Sequence, residues 1–251
     1  MAHRKRPAPN RLLWGSSLAV CLLLTALLLV CVGELPRRGA WDAPTRNQVL
    51  DRYVHQGLEE TGAANLVAGM ILEYRAFDTF GETSVLFLTL AAVRMALRRD
   101  RKPEGRPALY ETAHPSPILR ETVRLLLPAV FLFGAYVVLN GHLSPGGGFS
   151  GGVILGAGGI LAAVGLGGKR VRATLTGRRL MTTAGAGVIL YGLCKCYVFL
   201  CGGNHLPNHL PLGRAGDLFS GGLIPLLNLC VGVVVGCALY SFFALFLWED
   251  L

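Results

Sequence analysis

The chain has 251 residues, of which 52% are hydrophobic and 16% charged, and its mean hydropathy is +0.49. Soluble domains carry about 25% charged residues. The composition therefore excludes a disordered chain, a coiled coil and an ordinary soluble enzyme, and it implies a polytopic membrane protein. The formal net charge of +9 reads as a record of topology rather than as a nucleic-acid footprint, and no nucleic-acid partner is expected.

A helix crossing the hydrocarbon core needs about 20 mostly apolar residues. The first such run is Leu12–Val32, free of charge. It follows a basic start but is longer than a signal-peptide core, and no small-x-small cleavage site comes after it, so an uncleaved helix is expected. The external segment 33–63 is mixed in charge, and its stretch Asn47–Thr61 predicts a short interfacial helix with Val49, Tyr53, Val54 and Leu58 on one side. A second apolar stretch begins near Asn65, is interrupted by charges, and runs cleanly from Thr83 to Val93. Further spans follow at Thr122–Asn140, Phe149–Gly167, Leu180–Leu200 and Leu223–Leu247. The expected fold class is an all-α transmembrane bundle of about six spanning helices, with a broken or re-entrant segment near 65–81. A Pro-containing polar linker divides the chain into a two-helix part, 1–100, a linker, 101–117, and a four-helix part, 118–251.

Seventeen of the 24 Lys and Arg residues lie before span one, between spans two and three, or between spans four and five. The positive-inside rule then places both termini in the cytoplasm. All seven cysteines lie in or beside apolar spans. Cys194 and Cys196 are two apart and point to nearly opposite helix faces, so they are read as packing residues. His205 and His209 are four apart with Pro207 between them, which argues against a helical ligand pair. No metal site, cofactor or catalytic constellation is expected.

Charges inside apolar spans are costly and mark function by default. Glu73, Arg75, Asp78 and Glu82 fall within ten positions between two apolar runs. One continuous helix from Asn65 to Leu97 would be about 50 Å long, more than the roughly 30 Å core. The expectation is a half-helix, a break near Asp78–Gly81 with Asp78 as the N-cap, and then a spanning helix with Glu82 in its first turn. These charges either anchor the helix at the headgroups or form an ion-handling site at the break. Lys195 either snorkels outward or faces the bundle interior beside a carboxylate. Between spans three and four, Gly141, His142, Pro145, Gly146, Gly147, Gly148, Phe149, Gly151 and Gly152 form a tight loop. Its glycines allow positive φ and close helix approach, and the loop lacks the Gly-Lys-Ser/Thr ending of a phosphate cradle. His142 is a proton-carrier candidate or a loop cap.

That loop resembles the hallmark of the MrpB-type (MnhB-like) component of Mrp multisubunit Na⁺/H⁺ antiporters, a domain that also occurs in membrane-bound energy-converting hydrogenases. The run Gly222-Leu-Ile-Pro225-Leu-Leu-Asn228-x-x-Val231-Gly232 is similar to that family's last helix, and the likeness covers about Ile118–Leu247. The run from Asn65 through Glu73-Tyr-Arg75 and Asp78 to Glu82 is similar to the carboxyl-terminal end of the large MrpA component, which is a separate small subunit in hydrogenase-type complexes. The usual Asp is Glu73 here. The resemblance implies a fusion of two adjacent subunits in a prokaryotic cytoplasmic membrane. Such a chain is a non-catalytic membrane subunit of a Na⁺- and H⁺-translocating antiporter or ferredoxin-driven hydrogenase-type complex, with other membrane subunits and the lipid bilayer as partners. Glu73, Asp78 and Glu82 become cation-path candidates, and His142, Pro145 and Phe149 shape a loop facing partner subunits. The alternative is a pure scaffold that never touches ions.

Overall fold

A computed structural model describes residues 11–35, 48–99, 115–203 and 210–248, all helix and connecting loop with no strand among them. His205 and His209, and most of the 101–117 linker, lie outside the described residues. The chain forms two compact units, 1–51 and 52–251. The first contains the apolar helix α1, Arg11–Gly33. The second begins within α2, Gln48–His55, and continues through α3, Gly57–Thr61, and α4, Leu66–Gly69. A π-helical turn, Met70–Tyr74, leads into α5, Ala76–Arg99. Then come α6, Pro117–Leu139, α7, Gly148–Leu166, α8, Gly168–Thr174, α9, Gly177–Gly203, and α10, Ile224–Trp248. Five of these, α5, α6, α7, α9 and α10, are long and apolar enough to cross a membrane, and α1 carries a further apolar stretch, Leu18–Gly33. The all-α spanning bundle is as expected, and its count is close to six.

Local sequence explains the boundaries. Ser116 caps α6 by accepting from the Leu119 N–H at 3.2 Å, and Pro117 takes the first position, where its missing N–H costs nothing. This helix starts five residues before the expected Thr122, because the cap and proline outweigh the Arg120–Glu121 polarity. The stretch Asn47–Thr61 is two short helices rather than one. Gln56 separates them, and Gly62, at φ 67°, ends the second.

The glycines of α7 set the packing. Toward α6 it presents Gly151, Gly158 and Gly165, one every seven residues; toward α10 it presents Gly148, Gly152, Gly156 and Gly159. A methyl on Gly151 would lie 2.4 Å from Val138 Cγ2, and one on Gly148 would lie 2.4 Å from the Asn228 carbonyl oxygen. Backbones therefore meet where side chains would normally intervene, as small residues permit in membranes. The contact order shows α7 antiparallel to α6 and parallel to α10. Helix α9 runs antiparallel to both α5 and α10, with Gly185 and Gly192 facing Phe87 and Phe80, and Gly187 facing Val234.

One end of the bundle thus collects the start of α5, the end of α6, the starts of α7 and α10, and the end of α9. The half-helix, the glycine loop and segment 210–222 join there. The opposite end carries most of the basic residues, among them Arg94, Arg124, Arg172 and Arg179. Arg94 donates from Nη1 to the Gly177 carbonyl at 2.8 Å, tying α5 to the start of α9. Residues 125–139 of α6 present an apolar outward face, with Leu125 80% and Leu132 75% exposed, as contact with hydrocarbon requires.

Candidate functional site

The break in the charged stretch lies at Arg75, not at Asp78–Gly81. The Arg75 N–H bonds five residues back to the Met70 carbonyl at 2.8 Å, and Arg75 itself sits at φ −115°, ψ 33°. Asp78 is in the first turn of α5 rather than at its cap, and Gly81 and Glu82 are ordinary helical residues. The physical reason is that side-chain hydroxyls and neighbouring helices repair the backbone around a π turn. Thr79 Oγ1 donates to the Ile71 carbonyl at 2.8 Å, and Thr83 Oγ1 donates to the Thr79 carbonyl at 2.9 Å. Tyr191, fully buried on α9, donates its hydroxyl to the Ala76 carbonyl at 2.9 Å. Its ring stacks on Phe80 with centroids 5.6 Å apart.

This repair aims Glu73 into the bundle. Lys195 Nζ donates to Glu73 Oε2 at 2.7 Å, with side-chain exposures of 5% and 31%. Of the two alternatives for Lys195, burial beside a carboxylate is the one observed. The lysine stands eight residues before the end of α9, about 12 Å along the axis. Tyr191 lies one turn earlier on the same helix face. A cavity of about 20 Å³ adjoins Glu73, walled by Thr61, Val198, Leu212 and Gly221 among others. That is room for one water.

The other charges point elsewhere. Arg75 and Asp78 pair with each other, Nε to Oδ2 at 2.7 Å, and both side chains are more than half exposed. Glu82 is exposed on the same outward face of α5, four residues beyond Asp78. The three carboxylates therefore do not converge. Only Glu73 faces the interior. Outside the spans, Arg52 binds Glu60 in a two-pronged pair at 2.8 and 3.0 Å, and the Tyr74 hydroxyl also donates to Glu60. These bonds hold the Glu60 carboxyl below its ordinary value, the Arg52 bond first and the Tyr74 bond second. Tyr53 stacks on Tyr74 with centroids 4.6 Å apart, fastening α2 to the π turn.

The glycine loop grips the half-helix within the chain. Asn65 Oδ1 caps α4 by accepting from Val67 and Ala68, while its Nδ2 donates to the carbonyls of Gly141 and Ser144, each at 2.9 Å. Its N–H donates to the His142 carbonyl, also at 2.9 Å. Gly146 and Gly147 take φ of 142° and 129°, which L side chains rarely adopt. The Gly148 N–H donates to Asn228 Oδ1 at 2.9 Å. Gly141, His142, Gly147, Gly148, Gly151 and Gly152 are buried, Phe149 packs against the buried cluster that includes Leu72 and Tyr191, and Pro145 and Gly146 are exposed. A cavity of about 60 Å³ lies between the half-helix, this loop and α10, reaching Thr79 and Asn228. Among the described residues no three His, Cys, Asp or Glu side chains cluster as metal ligands.

Asn65, Tyr191, Thr79 and Asn228 were not among the site candidates. Two carried a readable signal. Asn65 stands just before an apolar run, where N-caps stand, and Tyr191 precedes Lys195 by four, which puts them on one helix face.

Residues 118–241 match the family described as a domain related to the MnhB subunit of Na⁺/H⁺ antiporters, and residues 40–112 match MbhE, a component of MBH. The chain is 28% identical over 138 residues to a probable K⁺/H⁺ antiporter A/B subunit of Rhizobium meliloti, covering 47% of this chain and 14% of that one. It therefore spans only a small part of that relative. It is 25% identical over 194 residues to an uncharacterized protein of Methanocaldococcus jannaschii, covering 68% of this chain and 72% of that one. Among solved structures, it resembles a chain of the membrane-bound sulfane sulfur reductase, an archaeal respiratory membrane complex. The TM-score is 0.64 at 28% identity, over 92% of this chain and all of the other. A chain of the Mrp complex from Dietzia sp. DQ12-45-1b shares the fold, with a TM-score of 0.62 at 24% identity over 98% of this chain and 27% of that one.

Proposed function

From a chain that joins an MbhE-type domain to a domain of the MnhB-related family, we infer a non-catalytic integral-membrane subunit of a Mrp-like module that moves Na⁺ and H⁺. Its host is a multisubunit antiporter or a redox-driven membrane complex of the hydrogenase type, in a prokaryotic cytoplasmic membrane. Both termini are cytoplasmic, and the end bearing the half-helix faces outward. The chain has no active site of its own. Its contribution is the Glu73–Lys195 pair, the observation that carries this reading. A carboxylate and an ammonium held together inside a spanning bundle are costly to bury, and ionisable groups there mark function by default. Their place at a helix break, beside a water-sized cavity, suits an element that exchanges charge with a passing ion. Asp78 and Glu82, on the outward face of α5, serve the same path where a neighbouring protein covers them.

The test is Na⁺-dependent proton movement in membrane vesicles bearing the whole complex, with Glu73→Gln and Asp78→Asn. The double variant Glu73→Gln with Lys195→Met removes the charges as a pair and keeps the packing. Loss of transport in an assembled complex is the expected result. Unchanged transport with intact assembly would leave the scaffold role, which the glycine-tight contacts of α6, α7 and α10 support.

A further inference from the structure

The outward face of α5 carries a charge that lipid does not accept. Asp78, Glu82, Val85, Thr89, Ala92 and Ala96 are all exposed. Their spacing of four, three, four, three and four residues lines them up along one side of the helix. Arg75 neutralises Asp78, and Thr89 donates its hydroxyl to the Val85 carbonyl at 2.7 Å. The Glu82 carboxylate has no hydrogen-bond or ion-pair partner among the described residues. It also lies inside the hydrocarbon. The basic end of α5 is Arg98 and Arg99. Sixteen residues separate Arg98 from Glu82, about 24 Å of helix, within a core about 30 Å thick. An ionised group facing lipid at that depth is strongly disfavoured, so it faces protein or water.

The shape of this face favours protein. Beyond Glu82 the stripe holds only Val85, Thr89, Ala92 and Ala96, and a methyl on the adjacent Gly81 would meet nothing within 4 Å. Small residues let helices meet backbone to backbone in membranes. The large exposed side chains of α5, Phe77, Leu88 and Met95, stand about 90° further round the helix, where they suit hydrocarbon. One side of α5 is thus built for lipid, and the stripe beside it for another helix. A second copy of this chain has no cation to bring to Glu82. Among the described spans the basic side chains lie at the basic end, are paired with Asp78, as Arg75 is, or are buried, as Lys195 is.

We propose that the stripe of residues 78–96 is the docking face for a spanning helix of a different subunit, and that this helix brings a Lys or Arg side chain to Glu82. The pairing removes the one charge on the face that α5 leaves uncompensated, and the small residues below it let the two helices run together toward the basic end. The docking face rests on the reading of this chain as a subunit of a membrane complex. It does not depend on Glu73 handling ions, since that carboxylate faces the bundle interior.

The test uses the assembled complex. Cryo-electron microscopy should show a spanning helix of another subunit along the stripe, with a Lys or Arg nitrogen within about 4 Å of the Glu82 carboxylate. Glu82→Lys places like charges together, so the amount of this chain recovered with its partner subunits should fall about tenfold or more, with its level in the membrane unchanged. Replacing the partner's cation by Glu in the same cells should restore recovery, which a folding defect would not allow. Val85→Trp, on the stripe, should also lower recovery, and Leu88→Trp, on the lipid side, should not. Lipid against Glu82, a helix there without a basic residue, or full recovery of Glu82→Lys overturns the docking face. Full recovery of Glu82→Lys with loss of Na⁺-dependent proton movement overturns it too and leaves Glu82 to the ion path alone. A parental chain recovered with no partner subunit refutes the reading of it as a subunit, on which the docking face rests.

Discussion

The Glu73–Lys195 pair is lopsided, and the lopsidedness makes an unequal prediction. Lys195 is 5% exposed, whereas Glu73 is 31% exposed and borders a water-sized cavity. Glu73→Gln leaves an ammonium sealed in the bundle with a neutral amide beside it. Stranding a buried charge costs roughly 3 kcal/mol or more. Lys195→Met removes the buried charge and keeps the volume. It leaves a carboxylate that already reaches water, at a cost of about 1 kcal/mol, as for half-exposed pairs. The double variant has neither stranded group and sits near Lys195→Met. At roughly 2–4 °C per kcal/mol for a unit of this size, Glu73→Gln should melt roughly 6–12 °C below the parent. Lys195→Met should melt roughly 2–4 °C below, and adding Lys195→Met to Glu73→Gln should recover most of the loss. Thermal unfolding of the purified complex, followed by intrinsic fluorescence, reads all four corners of the cycle. Equal damage from the two single changes, or a double variant no better than Glu73→Gln, would refute the argument that the lysine carries the desolvation burden.

Other substitutions probe the parts that hold this pair. Gly151→Ala forces a methyl to 2.4 Å from Val138 and 2.9 Å from the Gly134 carbonyl. It should cost about 1–3 kcal/mol as overpacking, measurable as a lower melting midpoint, while Gly202→Ala, which meets nothing within 4 Å, should be neutral. Asn65→Ala removes a cap and two bonds to the glycine loop. It should cost about 2–3 kcal/mol, seen as faster hydrogen exchange in residues 66–74 with little change in α10. Tyr191→Phe keeps the stack on Phe80 but removes the hydroxyl that donates to the Ala76 carbonyl across from α9, so exchange should quicken locally at the start of α5 alone. The Glu60 carboxyl titrates below its ordinary value of 4.5. Its contribution is therefore complete above that pH and is lost as pH falls through the depressed value. Acidification should loosen α2 from the π turn, reported by fluorescence of Tyr53 and Tyr74, and Glu60→Gln should abolish the response.

Most of the bundle was legible because the hydrocarbon core imposes a length, and Leu, Val and Ala runs meet it or do not. Boundaries shifted where a local cap outweighed hydropathy, as at Ser116-Pro117. The glycine loop was legible as a close-packing device, since no other residue type lets α7 touch α6 and α10 by backbone. Its partner within the chain was not. The grip on the half-helix depends on Asn65, 76 residues before Gly141, and no periodicity links the two. Lys195 could be narrowed to two placements but not decided, because a lysine's long stem reaches either water or a carboxylate from the same helix position.

The acidic cluster shows how adjacency in sequence and convergence in space part company. At about 100° per residue, Asp78 and Glu82 share a face, while the nine residues from Glu73 to Glu82 turn about 900°, which is opposite sides of one helix. Regular geometry alone already separates Glu73 from the other two. What it does not supply is the aim of Glu73, since an uninterrupted helix would fix that direction by its own winding. The π turn inserts one extra residue in the hydrogen-bond ladder at Met70–Arg75, and Thr79 and Tyr191 then satisfy carbonyls beside it. The break is thus held open by donors on α5 and α9, the second of which also carries Lys195. One helix face therefore supplies both the hydroxyl that stabilises the irregular backbone and the cation that meets Glu73 there. A change that straightens this segment should separate the pair without touching either charge, which makes the backbone defect itself part of the site.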